Sequence, residues 1–132
     1  MHQYKKLILE QHLDTLGHVN NATYLALFEE ARWQLITDND YSIETVQKLK
    51  QSPIILRVEM DFKSEVRNRE NICIETELIE YPSRVGKLRQ KMLKADGSLA
   101  CEAIFTFGLF DLKERKMIPP TDAWKKAIGM EV

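Results

Sequence analysis

One stretch constrains the fold of this 132-residue chain more than any other. Residues 22–36, ATYLALFEEARWQLI, are typical of a helix, and on a wheel of about 100° per residue their main polar side chains share one narrow stripe. Apolar side chains take up most of the remaining circumference. A helix that is apolar over most of its surface is enclosed by other structure. We therefore expect a sheet to curl around this helix, or a partner subunit to complete its cover.

The pattern after the helix predicts that sheet. From Pro53 onward, apolar and polar residues alternate in IILRVEMDFKS and again in NICIETELIE, which indicates half-buried strands. Two more strands, RVGKLRQKMLKA and SLACEAIFTFGLFDL, flank Asp96-Gly97, a strong two-residue hairpin signal. A β-prone run at residues 4–10, a short helix behind Ser42 and another starting near Pro120 complete the order. Consecutive strands with short connections predict an antiparallel sheet and an α+β fold.

Composition narrows the class of protein. The length fits a single domain covering residues 1–132. A net charge of −1 argues against a nucleic-acid platform, because phosphate binding usually needs a basic excess. No run reaches the roughly 18 apolar residues of a membrane span, and the N-terminal apolar run is too short for a signal peptide. Cys73 and Cys101 lack metal-site spacing and are typical of buried free thiols, so we expect a cytoplasmic protein without a bound metal.

Two charged residues interrupt the apolar part of the predicted helix. Glu29 and Arg32 are three residues apart, and a buried charge is costly unless it is paired. One interpretation is a structural ion pair between them. The other is that one of them faces a substrate cavity, and the sequence leaves both open.

The segment before the helix, DTLGHVNN at residues 14–21, is unusually polar. Asn20 or Asn21 is a natural N-cap, and the first turn of a helix presents free N–H groups and the positive end of its dipole. A carbonyl oxygen held there would be stabilised as it gained negative charge. Gly17 would allow close approach, Asp14 could attack the carbonyl or deprotonate a water, and His18 could orient the water or the substrate. This arrangement describes an acyl-transfer site that needs no metal or cofactor, although turn and cap roles explain the same residues.

The ordered motif Asp-x-x-Gly-His-Val-Asn-Asn-x-x-Tyr, followed by Phe-Glu-x-Ala-Arg, resembles hotdog-fold thioesterases of the 4-hydroxybenzoyl-CoA thioesterase type. The resemblance extends over nearly the whole chain, since the later strand order also fits. It implies a long central helix wrapped by an antiparallel five-stranded sheet. It also implies that subunits join their sheets side by side as a homodimer or homotetramer, with active sites at the subunit interface.

The resemblance implies roles for particular residues. Asp14 matches the catalytic carboxylate, acting as nucleophile or as general base toward water. His18 and Asn20 match positions that are catalytic in related acyl-carrier-protein thioesterases, and Glu29 lies near the level of a helix-borne catalytic glutamate in some branches. Backbone N–H groups near the helix start would meet the thioester carbonyl. The expected substrate-binding set is Gly17, Asn21, Ala22, Thr23 and Tyr24.

One departure from the family pattern concerns a second acid. Many relatives carry an aspartate two positions before the catalytic one, and here that position is His12. The substitution leaves the assignment of Asp14 standing but argues against a mechanism with two acids.

The implied substrate is an acyl-CoA or acyl-carrier-protein thioester. Basic residues near predicted strand ends are candidates for the CoA phosphates, namely Arg67, Arg69, Arg84 and Lys87. Candidates for the acyl pocket, which are equally typical of core, are Tyr24, Phe28, Met60 and Phe62. Two alternatives to hydrolysis remain: a hotdog hydratase or dehydratase, and a silent module that only binds acyl-CoA.

Overall fold

The computed structural model describes residues 1–130 as an antiparallel sheet packed on one long helix. In chain order the elements are β1 (His2–Leu7), a 3-10 turn (Glu10–His12), α1 (Asn21–Asp38), α2 (Ile43–Leu49), β2 (Gln51–Phe62), β3 (Asn71–Glu80), β4 (Val85–Lys94), β5 (Leu99–Asp111), β6 (Lys116–Ile118) and α3 (Asp122–Ala127). The predicted α+β class is confirmed. The predicted helix at 22–36 forms and extends by one residue at its start and two at its end.

The sheet has the strand order β1-β3-β4-β5-β2, and all its pairs are antiparallel. A hairpin forms between β4 and β5 at Asp96-Gly97, but its loop spans residues 95–98 and is not the predicted two-residue turn. Gly97 has a positive φ of +86°, whereas Asp96 does not have the positive φ that a two-residue Asp-Gly turn also needs. The prediction of five strands missed β6, which pairs with the last three residues of β5. A three-residue strand after the turn at 112–115 is too short to give a periodic signal.

Two apolar clusters lie between α1 and the sheet. One surrounds the N-terminal half of α1 and contains Phe28 and Phe105, and the other surrounds its C-terminal end and contains Phe107 and Trp124. Cys101 belongs to the first cluster, and burial raises the pKa of its thiol to about 12. Both cysteines are free, with Cys101 buried and Cys73 half-buried.

The sheet does not enclose α1 completely within one chain. The buried side chains of α1 are Tyr24, Leu27, Phe28, Ala31, Leu35 and Ile36. Its opposite face is open, with Ala22 and Ala26 exposed and Leu25 43% exposed. Of the two covers expected for this helix, the chain's own sheet leaves one side open next to β2, and cover by a partner subunit stays a prediction.

The edge strand β2 has the predicted alternation but a different burial. Val58 and Phe62 are 40% and 55% exposed, and Leu56 at a bulge is 48% exposed. The exposed apolar side chains of this edge strand lie next to the exposed face of α1. Together they form a continuous apolar surface on this side of the chain.

Candidate functional site

The Asp14–His18 segment forms a tight turn directly before α1. The Asp14 N–H donates to the His18 carbonyl at 2.8 Å, and the Gly17 N–H donates to the Asp14 carbonyl at 3.2 Å. Gly17 has a φ of +81°, in the left-handed region that side chains other than glycine rarely adopt. A bridge between Leu13 and Val19 closes the turn at its base. Gly17 therefore has a backbone role here in shaping the loop that carries Asp14.

The two carboxylate oxygens of Asp14 have different environments. Oδ1 accepts the backbone N–H of Leu16 at 2.8 Å and, more weakly, that of His18 at 3.4 Å. Within residues 1–130, Oδ2 has no hydrogen-bond donor. The turn thus fixes the carboxylate through one oxygen and leaves the other available for chemistry.

The start of α1 is capped as predicted, by Asn20. Its side-chain Oδ1 accepts the Ala22 N–H at 2.8 Å, and its carbonyl accepts the Thr23 N–H at 2.9 Å. The Tyr24 N–H also reaches the Asn20 carbonyl at 3.3 Å. Of the donors predicted for a substrate carbonyl, those of Ala22 and Thr23 are therefore already engaged. The Asn21 N–H is the one without an acceptor in the described part of the chain.

An open cleft of about 510 Å³ brings the turn and the helix start together. Its lining includes five of the predicted residues, Asp14, His18, Asn21, Tyr24 and Phe62. It also includes Val19, which precedes the cap, and two residues of the loop after β2, Ser64 and Glu65. The sequence did not predict these last three residues for the site. No sequence pattern joins Ser64 and Glu65 to Asp14, because their proximity arises from long-range pairing such as the Val19 N–H to the Val66 carbonyl at 2.9 Å.

His18 lies against the carboxylate of Glu65. Its Nε2 is 2.6 Å from Glu65 Oε2, and the other Glu65 oxygen accepts from the Arg67 guanidinium. The hydrogen bond from Arg67, together with the nearby positive charges, lowers the pKa of Glu65. Three charged or titratable side chains therefore form one chain of contacts along the cleft.

Glu29 does not share this cleft. It is exposed on α1 and lines a separate cavity of about 290 Å³ with Trp33, Ile54 and Trp124. Its predicted ion pair with Arg32 is wrong, since no contact within 4 Å joins the two among residues 1–130. The structure therefore separates Glu29 from Asp14 within one chain.

Arg32 faces the interior of the protein instead. Its Nη1 donates to Gln90 Oε1 at 3.0 Å, and its guanidinium lies 4.1 Å from the centre of the Phe105 ring. Burial lowers the Arg32 pKa to about 10, and the charge of Glu29 opposes that shift in part. The hypothesis that one of the two charges faces a cavity is supported, because both line the 290 Å³ cavity.

The acyl-pocket candidates divide into core and surface residues. Phe28 is fully buried in the first apolar cluster. Tyr24 and Phe62 pack edge to face across the cleft with ring centres 5.2 Å apart. Met60 lines an adjoining groove of about 360 Å³ between the bare face of α1 and β2. This groove shares Asn21 and Phe62 with the Asp14 cleft, so the two are continuous.

The four basic residues proposed for CoA lie at two ends of the sheet. Arg67 and Arg69 follow β2 near the cleft, and each is paired with a carboxylate, Glu65 and Glu10 respectively. The exposed Arg84 and Lys87 lie at the far end of β3, about 30 Å away along ten strand residues. The four therefore do not form a single basic cluster.

His12 has a structural role in the loop. It is buried, its Nδ1 accepts the Leu9 N–H at 2.8 Å, and its carbonyl accepts the Asn20 N–H at 3.1 Å. The side chain that replaces the second acid of the family pattern thus holds the turn at Leu9, and the backbone carbonyl of His12 contacts Asn20, the residue that caps α1.

Residues 1–130 lack two kinds of feature. No three His, Cys, Asp or Glu side chains are grouped so as to hold a metal ion. No helix in the same range combines the length and apolar character needed to cross a membrane.

Comparison with known proteins decides the family. The sequence profile of the Thioesterase-like superfamily matches residues 9–128. The chain belongs to this superfamily. Over 108 residues, 81% of each protein, this thioesterase-like chain is 29% identical to the long-chain acyl-CoA thioesterase FadM of Escherichia coli.

Solved structures share the fold. The probable thioesterase YbaW from Escherichia coli aligns over 95% of this chain and 94% of its own, with 24% identity and a TM-score of 0.83. The Staphylococcus aureus protein SAV2348, solved with CoA, aligns over 96% of this chain and 80% of its own, with 15% identity and a TM-score of 0.89. The 1,4-dihydroxy-2-naphthoyl-CoA thioesterase Slr0204 from Synechocystis aligns over 96% and 93%, with 16% identity and a TM-score of 0.86. The predicted hotdog fold is confirmed.

Proposed function

We propose that this thioesterase-like chain hydrolyses an acyl-CoA thioester to a free carboxylic acid and CoA, with Asp14 as its reactive carboxylate. One observation carries the proposal: the same open cleft is lined by Asp14, whose Oδ2 has no donor among residues 1–130, and by Asn21, whose N–H has no acceptor in that range. A carboxylate and an unpaired backbone donor are the two groups that attack on a thioester carbonyl requires. The FadM similarity supports acyl-CoA as the substrate class.

Asp14 activates the attacking oxygen. In the general-base route its Oδ2 takes a proton from water while the water oxygen bonds to the thioester carbon. The tetrahedral intermediate then collapses, the C–S bond breaks, and the thiolate leaves with the electron pair and takes up a proton. In the nucleophilic route Oδ2 itself bonds to that carbon, the thiolate leaves, and water hydrolyses the resulting anhydride. Both routes need the Asp14 carboxylate ionised and held by its other oxygen.

The start of α1 stabilises the charge on the carbonyl oxygen. The Asn21 N–H is aligned with the helix dipole, whose positive end lies at this terminus. The negative charge grows on the oxygen as attack proceeds, so this donor contributes more in the transition state than in the bound substrate. The cap from Asn20 holds the first turn, which gives Asn20 a positioning role.

The acyl chain lies along the groove that continues from the cleft. This groove is lined by Ala22 and Leu25 of α1 and by Val58 and Met60 of β2, all apolar. The CoA portion then extends outward from the cleft toward Arg67, which forms a bridge with His18, and toward Arg69. Arg84 and Lys87 lie too far from Asp14 to contact the same molecule within one chain.

The assembly we propose is a homodimer, or a tetramer of such dimers, formed through β2. This strand is a sheet edge whose apolar side chains Leu56, Val58 and Phe62 are exposed in the single chain. Pairing two copies would satisfy the edge and cover the bare face of α1. It would also close the acyl groove from its open side.

An assay of free thiol release tests the proposed activity. The purified chain is incubated with a panel of acyl-CoAs of increasing chain length, and released CoA is measured with a thiol reagent. We expect turnover, and acid and thiol in equal amounts. Acyl-CoA binding without thiol release would identify a silent module, and water addition to an enoyl-CoA without thiol release would identify a hydratase. Either result would overturn the proposal.

A further inference from the structure

We infer that the apolar groove beside the Asp14 cleft selects hydrocarbon acyl chains of about ten carbons, with Phe62 at its start and the Glu29 carboxylate at its end. This inference rests on the proposed hydrolysis at Asp14 and names the substrate class for that site. The groove of about 360 Å³ and the cavity of about 290 Å³ follow one another along the line where α1 meets the edge strand β2.

Phe62 lies where the reaction cleft meets the groove. Phe62 and Asn21 are the two residues that line both of them. The Phe62 ring packs edge to face on Tyr24, which is buried in the first turn of α1, and this contact holds the ring beside the helix start. When the thioester carbonyl lies at the Asn21 N–H, the first carbons of the acyl chain therefore lie against Phe62.

The groove continues from Phe62 with an apolar lining. Met60 and Val58 alternate with Phe62 on one face of β2, and Leu25 lines the groove from α1. None of these four side chains carries a hydrogen-bond donor, so a polar substituent on the acyl chain would lose its water without gaining a partner from them. The groove therefore fits an unsubstituted hydrocarbon chain.

Glu29 lies at the far end of the groove. It follows Leu25 by one helical turn, so the two side chains are neighbours on the same face of α1. Glu29 is exposed, and it lines the next cavity together with Ile54 and Ile55 of β2. A carboxylate that is covered by a hydrocarbon chain loses its hydration without gaining a partner. Glu29 therefore opposes passage of the chain into that cavity, although most of the cavity lining is apolar.

The two elements give consistent lengths for the groove. From Asn21 to Glu29, α1 rises about 12 Å at about 1.5 Å per residue. From Phe62 to Val58, β2 rises about 13 Å at about 3.3 Å per residue. Each carbon of an extended chain advances about 1.25 Å, from a C–C bond of about 1.5 Å and a bond angle of about 111°. Both lengths therefore correspond to about ten carbons.

Binding of non-hydrolysable analogues tests the length limit in the wild type. In a ketone analogue, a methylene separates the CoA sulfur from the carbonyl, so hydrolysis cannot occur. Calorimetry measures Kd over a series of chain lengths. We expect Kd to fall about twofold for each added carbon, as for a half-buried methylene, and to level off at about ten carbons. A Kd that does not depend on length, or that keeps falling well past about ten carbons, would overturn the inference.

Two substitutions test the order of contacts along the chain. Phe62→Ala should raise Kd about tenfold at every length, because the ring contacts carbons that all the analogues share. Leu25→Ala should raise Kd about fivefold for chains of about ten carbons and leave Kd unchanged for chains of about four. Ile79→Ala is the matched control, because Ile79 is an exposed apolar side chain outside the cleft and the groove. Equal losses at all lengths in Leu25→Ala would overturn the inference.

Glu29→Leu tests the end of the groove, with Glu29→Asp as its control. In the leucine variant we expect Kd to go on falling past about ten carbons, because longer chains enter the apolar cavity. The aspartate variant should keep the wild-type limit. A folded Glu29→Leu protein with the wild-type limit would overturn the inference. Thiol release from acyl-CoAs without any length limit would overturn the inference alone, whereas a length limit without thiol release would overturn the proposed hydrolysis alone.

Discussion

At the scale of single residues, the site depends on which polar atoms are left without a partner. Within residues 1–130, Asp14 has one oxygen fixed by backbone N–H groups and one without a donor, and Asn21 has an N–H without an acceptor at the start of α1. Asn20 is the reason that the donor of Asn21 is left over. The side chain and the carbonyl of Asn20 accept the N–H groups of the next three residues, Ala22, Thr23 and Tyr24. The reactive groups are thus selected by the local hydrogen-bond pattern.

The cap predicts a modest effect on stability. Asn20→Ala removes the Oδ1 acceptor for the Ala22 N–H, but Asn21 Oδ1 also accepts that N–H at 3.0 Å. We expect the free energy of unfolding to fall by about 0.5–1 kcal/mol, the lower part of the range for N-cap removal, as measured by urea denaturation. Asn20→Ser keeps a capping oxygen and should recover most of the loss. Wild-type stability in Asn20→Ala would contradict the capping role.

At the scale of elements, a buried polar network joins α1 to the sheet. Gln90 on β4 is fully buried and accepts from Arg32. Its side-chain amide donates to the Phe28 carbonyl at 3.1 Å and to Thr76 Oγ1 at 3.0 Å. The Gln90 side chain provides a hydrogen-bond acceptor for the largely buried guanidinium of Arg32. Among residues 1–130, no carboxylate forms an ion pair with that guanidinium. These hydrogen bonds fix the position of α1 against β3 and β4. They therefore also set the spacing between α1 and the strands on the other side of the cavity that Arg32 lines.

This network predicts coupling between two substitutions. Gln90→Leu leaves the Arg32 guanidinium without its acceptor, and we expect a loss of about 2–3 kcal/mol in the free energy of unfolding. In the double variant Arg32→Met, Gln90→Leu no cation is left unpaired, so the double loss should be smaller than the sum of the single losses. Denaturant unfolding of all four proteins measures the coupling. Strict additivity would show that the two side chains act independently.

At the scale of the whole molecule, the bare side of the chain determines how the site is completed. The exposed row on β2 and the exposed face of α1 flank the acyl groove, so a second copy that covers them also covers the substrate. A single chain leaves this groove open to water.

The proposed dimer predicts a defined oligomeric state. We expect light scattering after gel filtration to give at least twice the chain mass of 15.4 kDa for the wild type. Val58→Lys places a charge on the apolar row and should give the monomer mass, because an unpaired charge cannot be buried in the interface. Glu59→Ala, on the opposite face of the same strand, is the control and should remain associated. A monomeric wild type, or an associated Val58→Lys, would contradict the account.

The sequence predicted most of the fold because the main elements have strong periodic signals. The long helix, the Asp96-Gly97 hairpin and the alternation of β2 and β3 all depend on local spacing. It missed β6, whose three residues carry no period, and it left open whether the sheet or a partner subunit covers α1. The spacing of apolar residues shows that a helix face is apolar. It does not show whether the chain's own sheet or another copy covers that face.

The site was predictable only in part, for a related reason. Asp14, His18 and Asn20 are close in sequence, so their proximity follows from a single turn and cap. Glu65 approaches His18 through the pairing of Val19 with Val66 and of His18 with Arg67, and Arg32 contacts Gln90 across 58 residues. Such contacts depend on register between distant strands and have no local pattern.

The central claim is that Asp14 supplies the reactive carboxylate, and Asp14→Asn tests it most directly. Asparagine keeps an oxygen for the Leu16 N–H, so the turn is retained while the charge is lost. The control is Asp96→Asn, because Asp96 accepts the Ser98 N–H at 2.9 Å in a similar turn outside the cleft. We predict that kcat for acyl-CoA hydrolysis falls about 100- to 10,000-fold in Asp14→Asn and is unchanged in Asp96→Asn. Wild-type turnover by a folded Asp14→Asn protein would contradict the account.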